Sequence, residues 1–388
     1  MTRILTRWSI GERRTGLLCA VVLGFFISYL LLYLFVTLTR TRPYPFGDFF
    51  ALWSYAKFAA THPAADIYDS AKLHAAQVAL GMNPANENPF PYPPTFLLFL
   101  WPLGFLSYRL AYGLWVGTTL LFYLCAIVQS RGRAPLLVTA LVAPTTALAI
   151  ISGQSGLLAG AFLIGGLRLI DRRPIVGGLL LGLLTYKPQL GLLVPVGLAA
   201  AKQWRAIAAA CVSTVILIVI TSIAFGWAMW PAWISALPAY SRQFDTGSLA
   251  YNLMPTITAN LQMLGVTPTT ARLVQAVAAF FTAIVIWRVF RNGVTPLAIA
   301  ALLAGTFLAT PHAFVYDLPI LTGAVIMIIG DRLQSHPSFD FGEIVILIMA
   351  LAFPAIIIWV GPHIPLSTVP ELLLFGLIVT RLRVPVDA

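Results

Sequence analysis

The sequence predicts an all-α membrane protein with about twelve transmembrane helices and both termini in the cytoplasm. Three observations predict it. Hydrophobic residues make up 59% of the 388 and charged residues only 10%, whereas soluble domains carry about 25% charged residues. The apolar residues gather into stretches of span-like length. The basic residues, 24 against 13 acidic for a net charge of +11, stand in ones to fours at the ends of those stretches. This composition excludes a soluble enzyme, a disordered chain, collagen and a disulfide scaffold. With no long basic run and no soluble domain to carry one, nucleic acid is not an expected partner. Cys19, Cys125 and Cys211 lie inside apolar runs and read as small packing residues. No cleavable signal peptide is expected, because the first apolar segment is too long and lacks a small-residue cleavage site.

Twelve candidate spans follow in order: 16–38, 108–129, 134–150, 154–170, 174–186, 188–201, 206–227, 270–288, 294–310, 313–330, 344–360 and 366–380. Two further apolar stretches, 94–106 and 251–264, are broken by proline and polar residues. They read as partly inserted, non-crossing segments, tolerable only where protein or a wet cavity covers their backbone. The whole chain, 1–388, is one polytopic domain, with 39–107 as the first extracytoplasmic loop and 228–269 as a second extracytoplasmic region. Charge sets the orientation. An inner N-terminus places 16 of the 24 basic residues inside, among them Arg13, Arg14, Arg168, Arg172, Arg173, Lys202, Arg205, Arg288, Arg291, Arg332 and Arg381. Basic residues favour the cytoplasmic side of short loops. Arg40 and Arg42 run against that rule. No internal repeat of the inverted-transporter kind is evident.

With this parity nearly every unusual polar residue faces outward. The first outer loop opens with Asp48, after which Phe49, Leu52, Trp53 and Ala56 recur at helical spacing, the pattern of an amphipathic interfacial helix. Asp48 reads either as an N-cap or as a carboxylate placed to take a proton from a substrate hydroxyl. Tyr68-Asp69 follows, and then Pro91-Tyr92-Pro93-Pro94, whose prolines force an extended chain or a rigid turn. Gln154, in Ser152-Gly153-Gln154-Ser155-Gly156, is a helix cap or a donor to a ligand. Lys187, before Pro188, is a snorkelling residue or the partner of an anion such as phosphate. In the run His312-Ala313-Phe314-Val315-Tyr316-Asp317, His312 and Tyr316 are expected on one helix face and Asp317 deeper, where it could pair with a nearby Lys or Arg. Asn252 is a weaker candidate of the same kind.

Taken in order, Asp48, Trp53, Tyr68-Asp69, Pro91-Tyr92-Pro93-Pro94, Gly153-Gln154, Lys187-Pro188, Pro311-His312 and Tyr316-Asp317-Leu318 resemble glycosyltransferase family 87. The resemblance runs from about residue 43 to 330. It implies a C-type glycosyltransferase fold and an inverting transfer of a sugar, typically mannose. The sugar would move from a polyprenyl-phosphate donor to a lipid or glycan acceptor at the outer leaflet of a bacterial inner membrane, as in glycolipid biosynthesis for the cell envelope. It implies Asp48 as the catalytic base and His312 as an active-site residue. Lys187 and His312 would serve the phosphate side, with Gln154, Tyr92, Tyr316 and Asn252 positioning the substrate. The first loop lacks the paired carboxylates of metal-using relatives, so neither metal nor cofactor is expected. The late motif, His-Ala-Phe-Val-Tyr-Asp, departs from that of the mycobacterial mannosyltransferase in the family. The competing class is a transporter or flippase of lipid-linked sugars, which would also need an amphipathic cavity with isolated charges. A non-catalytic scaffold would not need the outer polar cluster.

Overall fold

The computed structural model describes residues 47–127, 133–245, 251–335, 339–360 and 364–383. The expected span 16–38, Arg40, Arg42, Cys19 and the Gly361-Pro362-His363 connection lie outside the described residues. Among those described, every regular element is helical. In chain order the α-helices are α1 (Gly47–Thr61), α2 (Ser70–Ala79), α3 (Leu97–Leu100), α4 (Tyr108–Ile127), α5 (Arg133–Val142) and α6 (Pro144–Ser152). They continue with α7 (Gly156–Leu169), α8 (Pro174–Leu183), α9 (Val194–Ala200), α10 (Trp204–Phe225), α11 (Met229–Asp245) and α12 (Ile257–Met263). The last five are α13 (Pro268–Phe290), α14 (Pro296–Ala309), α15 (Pro319–Ser335), α16 (Phe341–Val360) and α17 (Val369–Arg383).

Three of these, α4, α10 and α13, are clearly long and apolar enough to cross a membrane. Their outward faces carry exposed apolar side chains: Leu114 and Phe122 on α4, Ile216 and Ile223 on α10, Val277 and Phe281 on α13. A water-facing helix would bury such a stripe; a bilayer solvates it. Inside lie shorter helices. α7 and α14 have 14 residues each and are apolar on every side, with Ala159, Leu163, Ile164, Ala301, Leu302 and Phe307 all fully or almost fully buried. At 1.5 Å per residue they reach about 21 Å, short of the roughly 30 Å hydrocarbon core. Their length suits the interior of a bundle. α8 packs between α7 and α10, and its glycines allow the contact: a Cβ on Gly178 or Gly182 would meet the α10 backbone carbonyls of Ala206 and Ala210 at 2.2 and 2.4 Å.

Several expected elements differ from the observed ones. The 134–150 span is two helices, because Pro144 has no N–H to continue α5 and instead starts α6. The spans expected at 174–186 and 188–201 hold only 10- and 7-residue α-helices, with 3-10 turns at 184–186 and 188–191 around Lys187-Pro188. The 94–106 stretch is broken as expected, into a 3-10 turn at 94–96, the one-turn α3 and a 3-10 turn at 101–105. It folds back on α1 so closely that a Cβ on Gly104 would strike the Ala56 carbonyl.

α1 is the largest correction. It is not an amphipathic interfacial helix: Phe50, Ala51, Tyr55 and Phe58 are buried along with Phe49, Leu52, Trp53 and Ala56. A helix apolar all round sits inside protein. Within 228–269, α11 is amphipathic: it buries Met229 and Tyr240 on one side and exposes Ile234, Leu237 and Arg242 on the other. Cys125 and Cys211 are free thiols exposed on their helices, so they do not pack inside the bundle.

The helices segregate charge. α7 runs from Gly156 to Arg168, and α8 returns from Arg172 and Arg173 toward Tyr186. From Lys187 the chain passes through α9 to Lys202 and Arg205. α14 follows Arg288 and Arg291 and ends at Thr310, and α15 runs from Asp317 to Arg332. One end of this inner bundle therefore collects basic residues. There Glu343 on α16 ties Arg332 of α15 at 3.1 Å and Arg381 of α17. The other end collects the polar motifs.

Candidate active site

At that other end, four stretches remote in sequence meet the start of α1. The first is the loop at 88–93. Its prolines leave the backbone without helical or strand partners, and side chains satisfy its carbonyls instead. Gln77 donates to the Asn88 carbonyl at 2.9 Å, Tyr55 to that of Pro89 at 2.6 Å and Tyr68 to that of Tyr92 at 2.8 Å. Tyr240 of α11 donates to the Phe90 carbonyl. The expected rigid turn is thus a loop held by three tyrosine hydroxyls and one glutamine. Asp69 caps α2, accepting from Ala71 and Lys72.

The second stretch is the turn between α6 and α7. Gly153 closes α6 in the left-handed region, φ 63°, and a Cβ there would overlap Phe49 of α1 at 2.7 Å. Only glycine meets both demands. Gln154 follows and does not cap a helix; its Nε2 donates to the Asp48 carbonyl at 3.3 Å, while its Oε1 is buried without a partner. The third stretch is Tyr186-Lys187-Pro188. Tyr186 stacks on Phe96 with ring centroids 4.7 Å apart and donates to the Ser155 carbonyl at 3.0 Å.

The fourth is 310–317. His312 and Tyr316 do not share a helix face, because this stretch is a loop ending in a 3-10 turn at 315–317, and α15 begins only at Pro319. Asp317 organises the loop. Its Oδ1 meets Lys187 Nζ at 2.6 Å, and its Oδ2 accepts from the Phe314 N–H at 3.2 Å. Lys187 also lies 5.0 Å from the Tyr316 ring centroid. A close approach fixes the loop from behind: a Cβ on Gly156 would fall 1.6 Å from the Tyr316 carbonyl oxygen.

Tyr92 lies within electrostatic reach of both Asp48 and Asp317, and Tyr316 within reach of Tyr92, Asp317 and Asp48. Asp48, Tyr92, Gln154, Lys187 and Tyr316 therefore form one cluster. Asp48 is the second residue of α1, inside its first turn and not at the cap position. It keeps an exposed surface, yet the protein atoms around it desolvate the carboxylate and raise its pKa above the ordinary value. A carboxylate tuned upward and open on one side suits proton abstraction. Lys187 is 3% exposed and its charge is matched by Asp317 at 2%.

His312 stands to one side. Its ring stacks on Phe244 of α11 at 3.9 Å and its Nδ1 is buried without a partner. Burial first, and then the nearby Arg272, lower its pKa to about 4 against a smaller opposing pull from Asp245. At neutral pH it is a neutral imidazole, able to donate one N–H but carrying no charge. Asn252 sits in a 3-10 turn at 251–253 that packs against α12 and α16, helices that carry none of the cluster's residues. The contact of His312 with Phe244 and the neighbouring Arg272 had no signal in the sequence, since those residues are 68 and 40 positions away. Among the described residues no three His, Cys, Asp or Glu side chains gather.

No curated protein and no solved structure matches the chain. A family model does: that of glycosyltransferase family 87, over residues 90–311. The matched stretch takes in Tyr92, Gln154, Lys187 and Asn252, with Asp48 ahead of it and His312 immediately after. It covers more than half of the 388 residues and follows the helices that carry three of the four stretches to the cluster, so this membrane-embedded helical chain belongs to glycosyltransferase family 87.

Proposed function

We propose that the protein is an inverting glycosyltransferase that moves a sugar, mannose in the first instance, from a polyprenyl-phosphate donor to a lipid or glycan acceptor. The observation that carries this reading is the half-open Asp48 carboxylate, set beside the part-buried Tyr92 and Tyr316 and the Lys187–Asp317 pair at one end of the bundle. Asp48 removes the proton of the acceptor hydroxyl. That oxygen attacks the anomeric carbon from the face opposite the phosphate, the bond from carbon to phosphate oxygen breaks, and polyprenyl phosphate leaves with the electron pair. One displacement inverts the configuration. Gln154 braces the backbone of Asp48. Tyr92 and Tyr316 flank the sugar, Asn252 contributes from further out, and Lys187 and His312 lie on the phosphate side. No metal or cofactor takes part.

The cluster faces the periplasm of a bacterial inner membrane in this reading, and both termini are cytoplasmic. The charge segregation supports it, since the opposite bundle end carries Arg168, Arg172, Arg173, Lys202, Arg205 and Arg332. Incubating detergent-solubilised protein with radiolabelled polyprenyl-phosphate sugar and a lipid extract tests the proposal. A new labelled lipid is expected. Label that crosses a liposome bilayer without forming a new product would identify a flippase and overturn it.

A further inference from the structure

The donor in the proposed reaction is an anion, and the two cations that the sequence offered it are compromised. Lys187 is buried and matched by Asp317, and His312 is neutral. A phosphate needs a cation with donors open to it. We propose that Arg272, in the first turns of α13, holds the phosphate of the lipid-linked substrate. This rests on the reading of the protein as a polyprenyl-phosphate-dependent transferase and adds the residue that anchors its headgroup.

The placement comes from α11. Tyr240 and Phe244, one turn apart, form a stripe that reaches the Phe90 carbonyl beside Tyr92 and the His312 ring. Ser241 and Asp245 form the adjacent stripe, and both contact the Arg272 guanidinium, Ser241 at 3.5 Å. α11 thus sets Arg272 beside His312 and joins both to the loop that carries Tyr92. The Arg272 side chain is 45% exposed, and its tie to Asp245 is an exposed pair of the weakly held kind. A guanidinium has five N–H donors, so a phosphate oxygen can be shared alongside Asp245. In the proposed orientation Arg272 lies on the outer side, against the tendency of basic residues to stay inside. The neighbouring His312, with an N–H to give, supplies a second, uncharged donor.

The test uses the full-length protein in nanodiscs and polyprenyl monophosphate, the leaving group, as the probe, with the uncharged polyprenol as reference. Loss of a charge-assisted contact predicts roughly 10- to 100-fold weaker phosphate binding by Arg272→Gln, with polyprenol binding unchanged and the donor KM raised more than kcat falls. Asp245→Asn breaks the same ion pair but leaves the arginine; it should bind the phosphate as well as wild type or better. If both variants weaken alike, the pair is only structural and the proposal fails. If neither weakens, the phosphate is held elsewhere and it fails again. A wild-type protein that transfers sugar yet shows no dependence on Arg272 overturns this inference alone, whereas a wild type that neither binds the phosphate nor transfers sugar overturns the transferase reading with it.

Discussion

The Lys187–Asp317 pair gives the sharpest energetic prediction. Both side chains are almost fully buried, at 3% and 2% exposed, and the contact is 2.6 Å. In Lys187→Met the carboxylate of Asp317 loses its counter-charge and keeps only the Phe314 N–H at 3.2 Å. Breaking a buried pair from one side costs about 3–5 kcal/mol, and the surviving hydrogen bond puts the expectation at the lower end, about 3 kcal/mol. Lys187→Met with Asp317→Asn removes both charges and retains an acceptor for Phe314, so it should cost about 1 kcal/mol, about 2 kcal/mol less than Lys187→Met alone. The internal reference is Lys72, whose 2.9 Å pair with Asp66 is 55% and 34% exposed; solvent screens that pair, so Lys72→Met should unfold close to wild type. Unfolding by SDS titration in mixed micelles reads all four proteins on one scale. If Lys187→Met costs no more than Lys72→Met, the pair is not the buried clamp described above.

Other consequences follow from individual contacts. Gly156→Ala places a methyl 1.6 Å from the Tyr316 carbonyl, which is backbone and cannot swing aside; folded protein should be lost, as read by monodispersity in size-exclusion chromatography, while Gly117→Ala, with nothing within 4 Å, should be tolerated. His312, lowered to about 4 from 6.5, takes up its proton in the unfolded chain before the folded one does. Its contribution is therefore fully present above about pH 6.5 and is lost as pH falls toward about 4, a slope that His312→Gln should remove from the pH dependence of stability. Because Asp48 is raised above the ordinary carboxylate value and works only when ionised, the acid limb of kcat/KM should lie above pH 3.9, the usual midpoint. A limb at or below it would contradict the desolvation of that carboxyl.

The fold class and the collection of motifs were legible because each rests on local signals. Composition, apolar runs and the basic residues at their ends are all read over short windows, and Gly153, Lys187-Pro188 and Pro311-His312 sit in helix connections that proline and glycine announce. What was not legible depended on distance in the chain. Lys187 and Asp317 are 130 residues apart, so the sequence leaves Lys187 as a snorkelling residue or the partner of an anion, and Asp317 as the partner of some Lys or Arg it cannot name. The α1 pattern reads as amphipathic because Phe49, Leu52, Trp53 and Ala56 form a face; Tyr55 and Phe58 lie off that face, and only the fold supplies the protein that buries them too. Arg272 carries no signal of its own in the sequence, because its significance comes from α11, which brings Ser241 and Asp245 to it and Phe244 to His312.

The central claim is that Asp48 is the base of a glycosyl transfer, and the turnover of purified Asp48→Asn measures it most directly. Removing a general base lowers kcat by about 10²–10⁴-fold. The half-exposed position of residue 48 predicts that the variant keeps wild-type monodispersity and unfolding midpoint, and still binds polyprenyl phosphate. An Asp48→Asn protein that transfers sugar at near wild-type rate would contradict the claim.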